Sequence, residues 1–277
     1  MALSFDRLLL AGDTHAHKSW LTGRVLPAAA EVDAVLVVGN FGYWPEAKDF
    51  LAKAADSRRR YGVDTLFLRG NHEHHPALER AQRQAGGTAF EPVCLEGSLW
   101  YLPNASRIEV AGLEVAILGG GTSVDRRARH PGVDWFPEEE ITPAELEVTA
   151  ARGYAPVMLT HDAPAGYAIP GLPAPDPLWW PMLAQASDHR RRLRRAVDTV
   201  TPELVVHGHF HHGYEVELDV EWGSCRVAGL GSNNQSHWGR ILTAADGHPE
   251  LSDWVAPLDA KRPRQPPVGG WSAAAVA

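Results

Sequence analysis

Five short runs along the chain carry almost no polar residue: Arg7 to Ala11, Ala34 to Val38, Thr65 to Leu68, Val157 to Thr160 and Leu204 to His207. A run of strand length with no polar alternation predicts a strand covered on both faces. Between the first three lie segments of helical character, about Trp20 to Ala30 and Pro45 to Arg60. Strands alternating with helices predict βαβ units and a largely parallel sheet. Elsewhere the pattern changes. Leu99 to Leu102, Arg107 to Val110, Glu114 to Leu118, and later Tyr214 to Val220, Cys225 to Leu230 and Arg240 to Leu242 read as strands in meander order without helices between. A mixed sheet, or two sheets packed together, is therefore expected.

Two helices announce themselves. Thr142-Pro143-Ala144-Glu145 is a capping box with proline at the first helical position, and starts a helix running to about Ala151. Asp188 to Val200 sets Leu193, Val197 and Val200 on one stripe, with its arginines elsewhere. Two long segments read as irregular. Gly119 to Ile141 holds three glycines followed by Arg126, Arg127 and Arg129. Ala163 to Ala186 holds six prolines with Tyr167, Trp179 and Trp180. Their glycine and aromatic content predicts ordered lids. Residues 1–257 read as one catalytic domain, and the Pro/Gly/Ala-rich residues 258–277 as a disordered tail.

The residues at the carboxyl end of each apolar run give the first chemistry. Gly12-Asp13-Thr14-His15 succeeds the first, Gly39-Asn40 the second, Gly70-Asn71-His72-Glu73 the third and His161-Asp162 the fourth. The fifth runs into His207-Gly208-His209-Phe210-His211. In open α/β sheets the functional crevice lies beyond the carboxyl ends of the strands, so these side chains would share one rim. Mixed oxygen and imidazole donors suit Mn, Fe, Zn or Ni better than Mg or Ca, and no cysteine is among them to suggest a structural zinc. Any one piece has a bland reading as a turn or a solvated histidine; five together favour a metal site.

Order and spacing resemble the calcineurin-like metallophosphoesterase superfamily, which shows GD-x-H, GD, GNH-[DE], a lone histidine after a strand, and GH-x-H. The likeness spans about Leu8 to His211. It implies an α/β fold, a four-layer α/β/β/α sandwich of two mixed sheets, with a pair of divalent metals, Mn first among the candidates. By position, Asp13, His15 and His211 would bind one metal, and Asn71, His161 and His209 the other. Position 40 would bridge them, and His72 would act as general acid or stabilise charge on the phosphoryl group. A metal-bridging hydroxide would attack the ester. The expected substrate is a small-molecule phosphomonoester or phosphodiester, with a nucleotide as one candidate.

One residue departs from the pattern. The bridging position normally supplies aspartate, and here it is Asn40, a neutral amide with one good donor oxygen. Natural variation and a substitution that slows turnover explain it equally well. A catalytically weakened phosphate-ligand binding protein on the same fold is accordingly the alternative. A third reading takes His15-Ala16-His17 as an amidohydrolase motif and predicts a (β/α)8 barrel. Substrate contacts are assigned to Arg126, Arg127 and Arg129 for phosphate, and to Trp179 and Trp180 for a base. Arg190, Arg191, Arg192, Arg194 and Arg195 read as a solvated helix face.

Composition narrows the class. Of the 277 residues 44% are hydrophobic and 22% charged, ordinary for a globular protein, and the net charge of −8 argues against non-specific nucleic-acid binding while leaving a local basic patch open. Two cysteines, Cys94 and Cys225, are too few for a disulfide framework and read as free thiols of a reducing cytoplasm. No stretch approaches the roughly 18 apolar residues of a spanning helix, so no membrane partner is expected. Fourteen histidines exceed the six tyrosines and seven phenylalanines, which fits metal or proton chemistry.

Overall fold

Every residue of Leu8–Ala11, Ala34–Val38, Val157–Thr160 and Leu204–His207 is buried, as a strand covered on both faces requires. The computed structural model describes residues 3–172 and 180–255. Its strands are β1 (Ser4–Phe5), β2 (Leu8–Ala11), β3 (Ala34–Val38), β4 (Asp64–Leu68), β5 (Val93–Glu96), β6 (Leu99–Leu102), β7 (Arg107–Val110), β8 (Leu113–Leu118), β9 (Val157–Thr160), β10 (Leu204–His207), β11 (Tyr214–Leu218), β12 (Cys225–Gly229), β13 (Gly239–Ala245) and β14 (His248–Leu251). The helices are α1 (Lys18–Trp20), α2 (Leu26–Ala28), α3 (Lys48–Ala55), α4 (Ser57–Tyr61), α5 (His75–Gln84), α6 (Pro143–Ala151) and α7 (Trp180–Val200).

Two seven-stranded sheets result, in the orders β14-β13-β2-β3-β4-β6-β5 and β1-β7-β8-β9-β10-β12-β11. Strands β2, β3, β4 and β6 are parallel in one, and β8, β9, β10 and β12 in the other. Antiparallel partners such as β13 and β11 flank these blocks, so both sheets are mixed. Side-chain alternation sorts the core into three slabs. Leu8, Leu10, Leu36 and Leu66 point inward against Val115, Ile117, Leu159 and Val206 of the facing sheet. Leu9, Val35, Val37 and Phe67 point outward against Leu21, Leu26, Phe50 and Leu78 of the helices between β2 and β5. Met158, Val205 and Val227 pack against Leu193, Val197 and Val200 of α7. Each such leucine or valine contributes about 1.5–3 kcal/mol of burial. The α/β/β/α layering is the expected one, and two open sheets rule out the (β/α)8 barrel.

Several boundaries differ from the pattern-based reading. The helix expected from Asp188 begins at Trp180, inside the Ala163 to Ala186 segment that was expected to be irregular. Pro181 lies in its first turn, where a missing N–H leaves no intrahelical bond unmade. The Pro45 to Arg60 helix is two, α3 and α4, separated at Asp56. Helix α5 was not expected: it is largely polar and buries only His75, Ala77 and Leu78. His74 caps it by accepting the Ala77 N–H, and Pro76 lies in its first turn. Both cysteines are free thiols. Among the described residues no helix is long and apolar enough to cross a membrane. Residues 258–277 lie outside the described residues.

Candidate metal centre

The parallel strands of both sheets end on the same rim. There β2 delivers Asp13 and His15, β3 Asn40, β4 Asn71 and His72, β9 His161, and β10 His209 and His211. The turns that aim these side chains are tight. His15, Asn40, His209 and His211 have φ of 48°, 45°, 66° and 53°, in the left-handed region that costs a side chain on the order of 1–3 kcal/mol. The neighbouring glycines are there because the site closes on them. A Cβ on Gly208 would stand 2.2 Å from Asp13 Oδ1, and one on Gly70 would stand 2.3 Å from Asn40 Oδ1.

Asp13, His15 and His211 form one cluster. His211 Nε2 lies 3.0 Å from Asp13 Oδ2 and 3.0 Å from His15 Nε2, and His15 Nε2 lies 3.7 Å from Asp13 Oδ2. A cation with bonds of about 2.0–2.2 Å separates its ligand atoms by about 3–3.6 Å, so the spacing fits one. Burial works against the Asp13 charge, but His161, His211 and His15 outweigh it and hold the carboxyl well below the usual carboxylate range. Burial lowers His15, whereas the bond to Asp13 overcomes burial and raises His211.

Asn71, His161 and His209 form the second cluster. Asn71 Oδ1 lies 2.9 Å from His161 Nε2 and 3.1 Å from His209 Nδ1. His161 Nδ1 donates to the Val38 carbonyl at 3.0 Å, so in the neutral ring Nε2 carries the lone pair. The Asn71 amide nitrogen donates to Ser123 Oγ at 2.9 Å, which leaves the carbonyl oxygen facing His161. Two acceptors thus face one another inside the protein. Protonating the imidazole would relieve the contact, but burial pushes His161 down to about 3 despite the pull of Asp13. A divalent cation between them satisfies both, so the residues present fit a metal here as well.

Asn40 adjoins the first cluster. Its amide nitrogen donates to Asp13 Oδ2 at 3.0 Å, and its oxygen accepts the His72 backbone N–H at 2.8 Å. Asp13 Oδ1 in turn accepts the His209 backbone N–H at 3.1 Å, tying β2 to the β10 loop.

His72 stands beside the first cluster, its ring 5.3 Å from that of His15. Arg129 Nη2 approaches its Nδ1 and Nε2 at 2.8 and 2.6 Å while also pairing with Asp125 at 2.7 Å. A guanidinium only donates, so the imidazole facing it is neutral. Burial first, then the Arg129 charge, pushes His72 down to about 2. Glu73 bonds to the backbone of the neighbouring turns. It is buried and accepts the backbone N–H groups of Gly70 at 3.0 Å and Gly42 at 3.4 Å, while burial pushes it up to about 7 against those bonds.

The substrate candidates separate. Arg129 reaches the rim, Arg126 stacks 5.5 Å over the Trp135 ring, and Arg127 is exposed. Trp180 starts α7 and is 61% exposed; Trp179 lies outside the described residues. The α7 arginines are more than a solvated face: Arg190 donates to the carbonyls of Ala163, Pro164 and Tyr167, and Arg192 bonds Ile141 and Glu140. They fasten residues 163–167 and 140–141 to α7. Ser123 and Glu139, both buried beside Asn71, were not singled out from the sequence, since no periodicity places residues of an irregular segment.

The calcineurin-like phosphoesterase family model matches residues 6–213, and the chain belongs to that family. The family is metal-dependent. Among solved structures, one is 16% identical with a TM-score of 0.56, covering 90% of this chain and 99% of the other. The protein TT1561 of Thermus thermophilus is 16% identical with a TM-score of 0.53, covering 90% and 98%. At that identity the likeness shows the fold alone. No curated protein matches the chain.

Proposed function

We propose that the chain hydrolyses a small-molecule phosphoester, a nucleotide being one candidate, with two divalent cations held on this rim. Asp13, His15 and His211 would hold one, Asn71, His161 and His209 the other, with Asn40 between. Manganese is the first candidate, ahead of Fe, Zn and Ni. Such cations clamp phosphate oxygens and supply a nucleophilic water at neutral pH. The observation that carries the reading is the buried contact at 2.9 Å between His161 Nε2 and Asn71 Oδ1, two acceptors with no proton to share.

The chain's own groups would do the rest. Arg129 would turn from Asp125 and His72 to the phosphoryl oxygens. His72 would then lose a cationic neighbour and gain an anionic one, and both changes favour the imidazolium that protonates a departing alkoxide. Asn40 favours a second reading. Both ends of its amide are engaged within the protein, and it brings no charge to the space between the clusters. A phosphate-ligand binding protein with weakened turnover would look the same. Turnover of a phosphoester panel by the Mn-loaded chain decides between them: hydrolysis supports the enzyme, and binding without hydrolysis supports the weakened form.

A further inference from the structure

An asparagine serves as an oxygen ligand only while its amide nitrogen is kept facing away from the cation. The carboxamide of Asn71 is nearly symmetric in shape, so packing alone does not choose between its two orientations. The choice is made on its far side. Asn71 Nδ2 donates to Ser123 Oγ at 2.9 Å, and Ser123 Oγ donates to Glu139 Oε2 at 2.5 Å. Glu139 Oε1 accepts the backbone N–H of Ser123 at 2.8 Å. A hydroxyl has one proton. Since that proton goes to Glu139, the Ser123 oxygen offers Asn71 only lone pairs, and a lone pair requires the NH₂ end.

We infer that Ser123 and Glu139 are positioning residues that lock the Asn71 carboxamide with its oxygen toward His161 and His209, and so set the affinity of that half of the centre for a divalent cation. The inference rests on the metal-dependent reading above. All three residues are buried, so solvent does not offer Asn71 a competing partner. The relay is held in place by backbone as well: Gly121 N–H donates to the Glu139 carbonyl at 3.0 Å, closing the segment between β8 and α6 on itself.

Glu139→Gln separates this role from simple packing, because it keeps the shape and removes one acceptor. If the Gln oxygen stays on the Ser123 backbone N–H, its NH₂ faces Ser123 Oγ and donates to it. The buried hydroxyl proton has then lost its acceptor on that side, and it regains one when the Asn71 carbonyl swings round to take it. The NH₂ group is left facing the imidazoles, where a ligand is needed.

The experiment is calorimetric titration of the full chain, stripped of metal, with Mn alone, for the wild type, Ser123→Ala and Glu139→Gln, with apo melting temperature recorded. The expected result is that both variants lose about 10- to 100-fold in affinity for one equivalent of Mn, the other staying within about twofold. Wild-type affinities in a folded Glu139→Gln protein would overturn the relay while leaving the metal reading intact. Equal weakening of both equivalents would overturn it too, since a general loss of packing does not select one site. A wild-type chain that takes up no Mn would overturn the metal reading and the relay with it.

Discussion

His161 presents the lone pair of Nε2 to the carbonyl oxygen of Asn71 across 2.9 Å, because its Nδ1 proton is committed to the Val38 carbonyl. The neighbouring His209 Nδ1 faces the same oxygen at 3.1 Å. Removing either imidazole removes a donor from this half of the centre only. His161→Ala and His209→Ala should therefore each lower the metal content by up to one ion per chain, read by elemental analysis after Mn loading. Unchanged stoichiometry in both would sink the assignment of the second cluster.

His72→Ala should leave the metals bound and cut turnover by about 10²- to 10⁴-fold, the range of a lost general acid. The loss should shrink for a nitrophenyl ester, whose leaving group needs little protonation. Equal losses across the panel would show that His72 does not supply the proton.

Arg129 already carries its charge to within 2.6 Å of His72, where a phosphoryl group would compete for it. Arg129→Ala is expected to raise KM for a phosphoester by about tenfold or more, the worth of one charge-assisted hydrogen bond. Arg127→Ala, at an exposed position of the same segment, should change KM little. If the two variants behave alike, Arg129 does not contact substrate.

Asn40 donates to Asp13, so an aspartate in its place would set two carboxylates against each other until a cation came between them. Asn40→Asp should accordingly lower the apo melting temperature and enlarge the stabilisation by Mn. It should also raise turnover by about tenfold or more, equivalent to over roughly 1.4 kcal/mol of transition-state stabilisation. An Asn40→Asp protein that binds no more metal and is no faster would remove Asn40 from the position between the two cations.

The acid limb of stability should report Glu140. Burial opposes its charge, but Arg192, Gln185 and Thr122 overcome burial and hold its carboxyl below the ordinary 4.5. A depressed carboxylate stabilises the fold above its unfolded value, and that contribution is lost as pH falls through the lower folded value. The melting temperature should thus drop below about pH 4.5 more steeply in the wild type than in Glu140→Gln. Parallel acid limbs would mean that the contacts of Glu140 add nothing to stability.

How legible the sequence was depends on where each residue gets its conformation. Strands β2, β3, β9 and β10 are buried on both faces, so their composition alone declares them. Asp13, Asn40, Asn71 and His161 lie within three residues of such strand ends, so strand geometry already brought them to one rim. Helix α5 escaped notice because its burial is confined to one short stripe near its start. Ser123 and Glu139 stand sixteen residues apart in an irregular segment and meet only because the chain folds back on itself there. Arg129 could be proposed from charge, but its place against His72 depends on the Asp125 pairing within that same segment.

The most direct test of the account is an anomalous difference map from crystals of the wild-type chain soaked in Mn. Two peaks about 4 Å apart are predicted. One should lie about 2.0–2.4 Å from the donor atoms of Asp13, His15 and His211, the other at the same range from Asn71 Oδ1, His161 Nε2 and His209 Nδ1. A map with no peak between His161 and Asn71, in a protein whose fold is unchanged, would contradict it.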